Sequence, residues 1–291
     1  MYTIERVEIH DEHAASAIRQ LILISFPRQV YLAPGHITAN MDSRASQPCF
    51  FLVAKTQGQI IGCNGFMAYD FEFNGMPVVG YQSCWTATHP EHRGKGIFQA
   101  LINEAKKILE DAGAGFIYGM ANQLSLPIMT GTLGFDEIPC QVARLKRIPF
   151  LPADKFRNGK MDKSNSLTVN EQQVLDHKGR QFPAQVFSFA HAGSRIWGKL
   201  VSKRKWGIMI SVFYVGGIEL TDVQDLPCLI AEIYQSTGVR IVQLISCKTN
   251  RFNELVRGWR QTDKIRGFVF YNLDMPAIEH VDLMIGSIDV F

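Results

Sequence analysis

Residues 76 to 120 constrain the fold more than any other stretch. They read MPVVGYQSCWTAT, then HPEHRGKGI, then FQALINEAKKILEDA, then GAG, then FIYGM. Met76–Thr88 has the aromatic and β-branched content of a strand, and the third segment has the apolar period of a helix. Gly113 to Gly115 break that helix, and Phe116–Met120 reads as another strand. A strand that crosses over through a helix to a second strand of the same sheet runs parallel to it, with a right-handed connection. Upstream, Asn74-Gly75 is a strong hairpin signal that folds Ile60–Phe73 back onto Met76–Thr88, and Gln57-Gly58-Gln59 joins Cys49–Ala54 to the same meander. Antiparallel hairpins followed by one parallel crossover imply a mixed sheet.

Around this unit, Tyr2–Ile9 reads as a strand, and Asp11 caps the helix HAASAIRQLILISF. Pro27 to Pro48 is irregular. Leu124–Thr132 reads as a short helix, and Leu133-Gly134-Phe135 opens a last strand that runs through Leu145. Leu151–Gln173 is polar and is expected to be a linker. Beyond it the order strand (Ile208–Val215), helix (Asp225–Ser236), strand (Arg240–Ser246), helix (Arg251–Arg260), strand (Gly267–Leu273) repeats the end of the first half. The expected domains are 1–150 and 174–291, with 151–173 between them.

The 291 residues carry a formal net charge of +3, which gives no reason to expect nucleic-acid binding. The N-terminus lacks an apolar signal core, and the longest charge-free run, Ala112 to Phe135, is broken by glycines, a proline and amides, unlike a membrane span. Six cysteines, at 49, 63, 84, 140, 228 and 247, form no CxxC pair, and most sit in apolar runs. Buried thiols in a reducing compartment, hence a soluble cytoplasmic protein, are expected. No metal-ligand spacing is present.

The loop His89-Pro-Glu-His-Arg-Gly-Lys-Gly96 stands where a strand turns into a helix. A helix N-terminus exposes unpartnered N–H groups at the positive end of the macrodipole, and glycines let the chain wrap an anion closely. Arg93 and Lys95 add charge, so a phosphorylated ligand is expected there. The P-loop pattern fails because Gly96 follows Lys95, and the dinucleotide pattern fails at Gln99. The corresponding position of the second half carries Gly216-Gly217-Ile218-Glu219-Leu220, with no cation and a glutamate that would repel phosphate. No anion site is expected there.

Arg93-x-x-Gly96-x-Phe98 resembles the [QR]xxGx[GA] signature of the GNAT superfamily of acyl-CoA N-acyltransferases, with Phe98 at the small-residue position. Ala121-Asn122-Gln123-Leu124-Ser125 followed by Leu133-Gly134-Phe135 resembles the downstream motif of the same family. The resemblance covers roughly Ile60 to Leu145. It implies an α/β fold with a GNAT-like splayed central sheet flanked by helices, in two tandem copies of which the second is degenerate. It implies acetyl-CoA as cofactor. The backbone of Trp85, Ala87 and Thr88 would pair with the pantetheine arm, and Asn122, with Ser125 beside it, would contact the arm. The amides of Arg93, Gly94, Lys95, Gly96, Ile97 and Phe98 would hold the pyrophosphate, and a main-chain N–H near Thr88 would polarise the carbonyl.

The family's usual general-acid tyrosine is replaced here by Thr130, a much weaker acid. Candidate bases are His89, Asp70, Glu72 and the C-terminal carboxylate of Phe291. Structural readings stand beside these. His89 and His92 fit a solvated loop, Asp70 and Glu72 alternate with Phe71 and Phe73 as on a solvent-facing strand edge, and Asn122 fits a helix cap. Trp197, Trp206 and Trp259 fit a core or an aromatic acceptor pocket. The expected activity is direct acetyl transfer to the amine of a small molecule or sugar. Its rivals are a non-catalytic acyl-CoA sensor or scaffold and a tRNA-dependent aminoacyl transferase, the latter disfavoured by the intact loop.

Overall fold

A cap, an apolar stripe and a meander build the first sheet. In the computed structural model, which describes residues 2–27, 33–147, 156, 165–205, 207–265 and 267–284, the chain starts with β1 (Thr3–Glu8). Asp11 then accepts a hydrogen bond from the Ala14 N–H at 2.9 Å and starts α1 (Glu12–Ser25). Helix α2 (His36–Met41) precedes β2 (Phe50–Thr56), β3 (Gln59–Phe73) and β4 (Met76–Thr88). Helix α3 (Ile97–Asp111) buries Ile97, Leu101, Ile102, Ala105 and Leu109, the single stripe that a 3.6-residue period allows. β5 (Phe116–Met120) follows and pairs in parallel with β4, and α4 (Leu126–Gly131) and the two-residue β6 (Asp136–Glu137) come next.

The remaining elements are β7 (Cys140–Lys146), β8 (Ser166–Val169), α5 (Glu171–Gln181), β9 (Val186–His191), β10 (Ser194–Lys205), β11 (Ile208–Glu219), α6 (Leu226–Thr237), β12 (Ile241–Cys247), α7 (Phe252–Leu255), β13 (Arg260–Ile265), β14 (Phe268–Asn272) and β15 (His280–Asp282). The first sheet runs β1-β2-β3-β4-β5-β14-β6 and the second β13-β7-β12-β11-β10-β9. In the second, β11 and β12 are parallel, and Phe213, Leu229, Ile233, Val242 and Leu244 anchor a core between α6 and the sheet. Both sheets are mixed and flanked by helices, as the sequence implies.

Two compact units result. One holds Met1–Phe71, Pro77–Glu137 and Gly267–Pro276, the other Glu72–Met76, Ile138–Arg266 and Ala277–Phe291. Strand partnership departs from the expected order. The strand expected to run through Leu145 and close the first sheet is split: β6 ends at Glu137, and β7 joins the second sheet between β12 and β13. Its place beside β5 is taken by β14, from near the end of the chain, with Phe268 opposite Met120 and Asn272 opposite Phe116. Pro139, which has no N–H to give a ladder, stands between β6 and β7. Alternation of apolar residues specifies that a strand exists; it does not name the strand's neighbour.

Within the expected linker 151–173, residues 151–155 and 157–164 lie outside the described residues, as does Trp206. The rest includes β8 and the start of α5. The polarity there belongs to a helix start: Asn170 Oδ1 accepts from the Gln173 N–H at 3.1 Å. The hairpin of β9 and β10, not singled out in the sequence, contributes Trp197, which is fully buried.

Glu171, in the first turn of α5, accepts a hydrogen bond from the Trp197 indole at 2.8 Å, and burial pushes its carboxyl up to about 8 from its ordinary value of 4.5. The folded chain therefore holds a proton that the unfolded chain has released between those values, so stability declines as pH rises from about 4.5 to about 8. The melting temperature of the parent is expected to fall across that window, and Glu171→Gln, which keeps an acceptor for the indole, to flatten the fall. Parallel slopes in parent and variant would refute it.

Candidate functional site

The opening in the first sheet is built by a mismatch in strand length. β4 and β5 pair from Gly80 opposite Phe116 to Ser83 opposite Gly119, after which β4 continues to Thr88 without β5 beside it. Trp85 interrupts β4 with φ +49°, an uncommon left-handed setting for a bulky residue. Buried polar side chains surround this bulge. Asn64 of β3 donates to the Ser83 hydroxyl at 3.1 Å and accepts from Thr86 Oγ1. Gln82 Oε1 and Trp85 Nε1 are buried without a partner among the described residues. The bulge and its polar neighbours escaped sequence reasoning. The one signal was Asn64 within the otherwise apolar run Ile60–Tyr69.

The loop leaving β4 forms a 3₁₀ turn over Pro90–His92, which His89 caps by accepting from the Glu91 N–H at 3.4 Å through Nδ1. The His89 N–H is itself held by Ile61 O at 2.9 Å. Gly94 and Gly96 adopt φ +73° and +72°, and a Cβ on either would meet no atom within 4 Å. The space beside both glycines is thus open. Gly96 is the N-cap of α3 and makes no side-chain cap, so the first-turn amides of Ile97 and Phe98 have no intrahelical partner. Ala87 and Ile97 are buried, and Arg93, Gly94 and Lys95 are exposed.

The two cations of the loop differ. Arg93 donates through Nη2 to Ser25 O at 3.2 Å and through Nε to Thr88 O at 3.4 Å, while the Ser25 hydroxyl also donates to Thr88 O at 3.2 Å. Arg93 therefore clamps the end of α1 to the end of β4 and fixes the loop as well as charging it. Lys95 Nζ lies 3.5 Å from His92 Nδ1.

Across the opening, Asn122 Oδ1 accepts from the N–H groups of Leu124 and Ser125 at 2.9 and 3.0 Å, and the Asn122 N–H donates to Ser125 Oγ at 3.0 Å. Asn122 is thus a cap, with its amide nitrogen still able to donate. Thr130 Oγ1 donates to Leu126 O at 3.0 Å, so its proton is already engaged.

Asp70 and Glu72 are placed away from the bulge. The two-residue turn Asn74-Gly75 sets Asp70 opposite Val79, roughly 20 Å along β4 from Trp85 at strand spacing. The Asp70 carboxylate accepts from the Ser46 hydroxyl at 2.5 Å and from the Ser46 N–H at 3.1 Å. Glu72 is exposed beside the turn. Phe291 lies outside the described residues. The structure gathers His89, the loop and Asn122 around one opening and leaves the two strand carboxylates outside it.

In the second unit, Gly216 and Gly217 lie inside β11 rather than in a loop. A Cβ on Gly216 would strike the Trp197 ring, and one on Gly217 the Glu171 carboxylate. These glycines make room for a tryptophan and a glutamate. Glu219 pairs with Arg195.

The sequence profile of the acetyltransferase (GNAT) domain matches residues 13–138. No curated protein matches the chain in sequence. Among solved structures, a GCN5-related N-acetyltransferase from Kribbella flavida is similar at TM-score 0.62 and 11% identity, covering 94% of this chain and 72% of its own. A GCN5-related N-acetyltransferase from Anabaena variabilis gives 0.61 at 12% identity, covering 94% and 73%. Eis1 from Mycobacterium abscessus gives 0.60 at 12% identity, covering 94% and 74%. Residues 13–138 thus match the sequence pattern of a GNAT acetyltransferase domain, and at such identities the likeness to these structures is one of fold.

Proposed function

We propose that the first unit binds acetyl-CoA and transfers its acyl group directly to the amine of a small acceptor, a free amine or an amino sugar. One observation carries this reading: an open glycine loop at a helix N-terminus lies at the end of the same strand that parts from its neighbour. The residues present suit a long ligand with a charged middle. The amides from Gly94 to Phe98 would hold the pyrophosphate, the backbone of Trp85–Thr88, which has no β5 beside it, would pair with the arm through the groups not already taken by Cys63, Ser25 and Arg93, and the Asn122 amide nitrogen would donate to it. The cofactor, when bound, supplies the thioester acyl group.

The chain's own residues then have two tasks. The kinked main chain at Trp85–Thr88 orients the carbonyl and donates to its oxygen, the preorganised electrostatic role that carries much of acyl-transfer catalysis. His89, with Nδ1 occupied by the Glu91 N–H, offers Nε2 to take a proton from the amine. Thr130 is not needed as an acid, since a thiol with a pKa of about 8.5 leaves as thiolate unaided. The six cysteines are free thiols, which suits the reducing cytoplasm, and no helix among the described residues is long and apolar enough to cross a membrane.

Calorimetric titration with acetyl-CoA, beside desulfo-CoA and ATP, tests the reading. Binding of acetyl-CoA in the micromolar range without ATP binding is expected, followed by amine-dependent thiol release in a screen of small amines. No binding of any CoA species would overturn it. Binding without turnover would favour the non-catalytic sensor.

A further inference from the structure

The second unit carries a cleft of about 430 Å³ where β7 ends and β12 begins. Arg144, Lys146 and Arg260 line it, and among the described residues no acidic one does. Their arrangement follows from register. Arg144 stands directly opposite Arg260 on β13 and opposite Gln243 on β12. Residues facing each other across a ladder share a face, as do residues two apart on one strand, so Lys146 joins them.

Like charges directly opposite on paired strands are destabilising. Here no carboxylate among the described residues pairs with any of the three. Arg144, half-buried, is held in place: its Nε donates to Gln243 Oε1 at 2.6 Å, which leaves both Nη groups for a further acceptor. Arg260 is exposed, Thr262 adds a hydroxyl, and buried Trp259 gives the cleft an aromatic wall.

We propose that this cleft binds a small phosphorylated molecule, with its phosphate gripped by Arg144 and Arg260 from neighbouring strands and by Lys146 beside them. Guanidinium forks match phosphate oxygens in pairs, and a dianion would cancel the repulsion that register imposes. The volume fits a small molecule. The cleft belongs to the second unit and the glycine loop to the first, and the proposal does not depend on the acyl-CoA reading.

The test uses inorganic pyrophosphate as probe on the full chain carrying Gly96→Glu, which closes the first unit's loop to anions. One binding event is expected in that background. It should weaken by about tenfold or more for each of Arg260→Gln and Lys146→Gln, since charge-assisted hydrogen bonds to phosphate are the strong ones. Both variants leave Arg144 on Gln243. Ligand-free Arg260→Gln is further expected to melt higher than its parent, because the facing charge is gone. Loss of all pyrophosphate binding on Gly96→Glu alone, or binding indifferent to the two cation changes, would overturn the proposal. A lower melting point for ligand-free Arg260→Gln would also overturn it, since Arg260 would then be a structural contact.

Discussion

Glutamate in place of Gly96 is expected to abolish acetyl-CoA binding and leave the protein folded. Gly96 sits at φ +72° with nothing within 4 Å of a built Cβ, so the side chain finds room without displacing a neighbour. The left-handed setting costs an L-residue about 1–2 kcal/mol, and a carboxylate near a helix N-terminus returns about 0.3–1 kcal/mol. Against a stability of about 5–15 kcal/mol the fold survives. Binding has no such margin. The carboxylate would fill the space proposed for the pyrophosphate and face it with like charge. At about 4 Å and an effective dielectric of about 20 that repulsion is about 4 kcal/mol, roughly a thousandfold in affinity. Gly96→Ala bears the same backbone strain without the charge and should fall between the two. Circular dichroism and calorimetry on the three proteins check this, and an unchanged affinity in Gly96→Glu would remove the pyrophosphate from the loop.

The loop was legible because its chemistry is local. Arg93 to Phe98 are contiguous, and a strand before and a helix after are enough to specify amides at a helix start. What stayed hidden depends on residues distant in sequence. The Arg93 clamp needs Ser25 and Thr88 together, and the bulge at Trp85 is pinned by Asn64 from the preceding strand. Asp70 and Glu72 looked near the site because their strand is its neighbour. Antiparallel register then carried them to the far end of β4. The same limit explains β7 and β14, whose strand character was readable while their choice of sheet was not. The cation cleft is the extreme case, because Arg144 and Arg260 are far apart in sequence and meet only through that choice.

Removing the Asp282 carboxylate is expected to produce the largest stability loss in the second unit. The Asp282 side chain is 2% exposed and that of Arg251 9%. Arg251 Nε donates to Asp282 Oδ2 at 2.6 Å, its Nη2 donates to the same oxygen, and its backbone N–H donates to Oδ1 at 3.0 Å. The Ser166 hydroxyl adds a fourth bond at 2.9 Å. One carboxylate thus ties β8, β15 and the start of α7. Asp282→Ala would take from a buried guanidinium the carboxylate that accepts two of its hydrogen bonds, a change that costs about 3–5 kcal/mol. At about 2–4 °C per kcal/mol for a unit of this size, the melting temperature should drop on the order of 10 °C. Replacing both partners, as Arg251→Met with Asp282→Leu, should recover most of the loss, because breaking a buried pair costs more than replacing it with apolar side chains. The exposed pair Lys55–Glu5, 30% and 48% exposed, is the counterweight: Lys55→Ala should cost at most about 1 kcal/mol. Scanning calorimetry of these variants separates the cases. A melting point for Asp282→Ala within about 1 °C of the parent would mean that water reaches Arg251 and that the carboxylate does not hold the unit together.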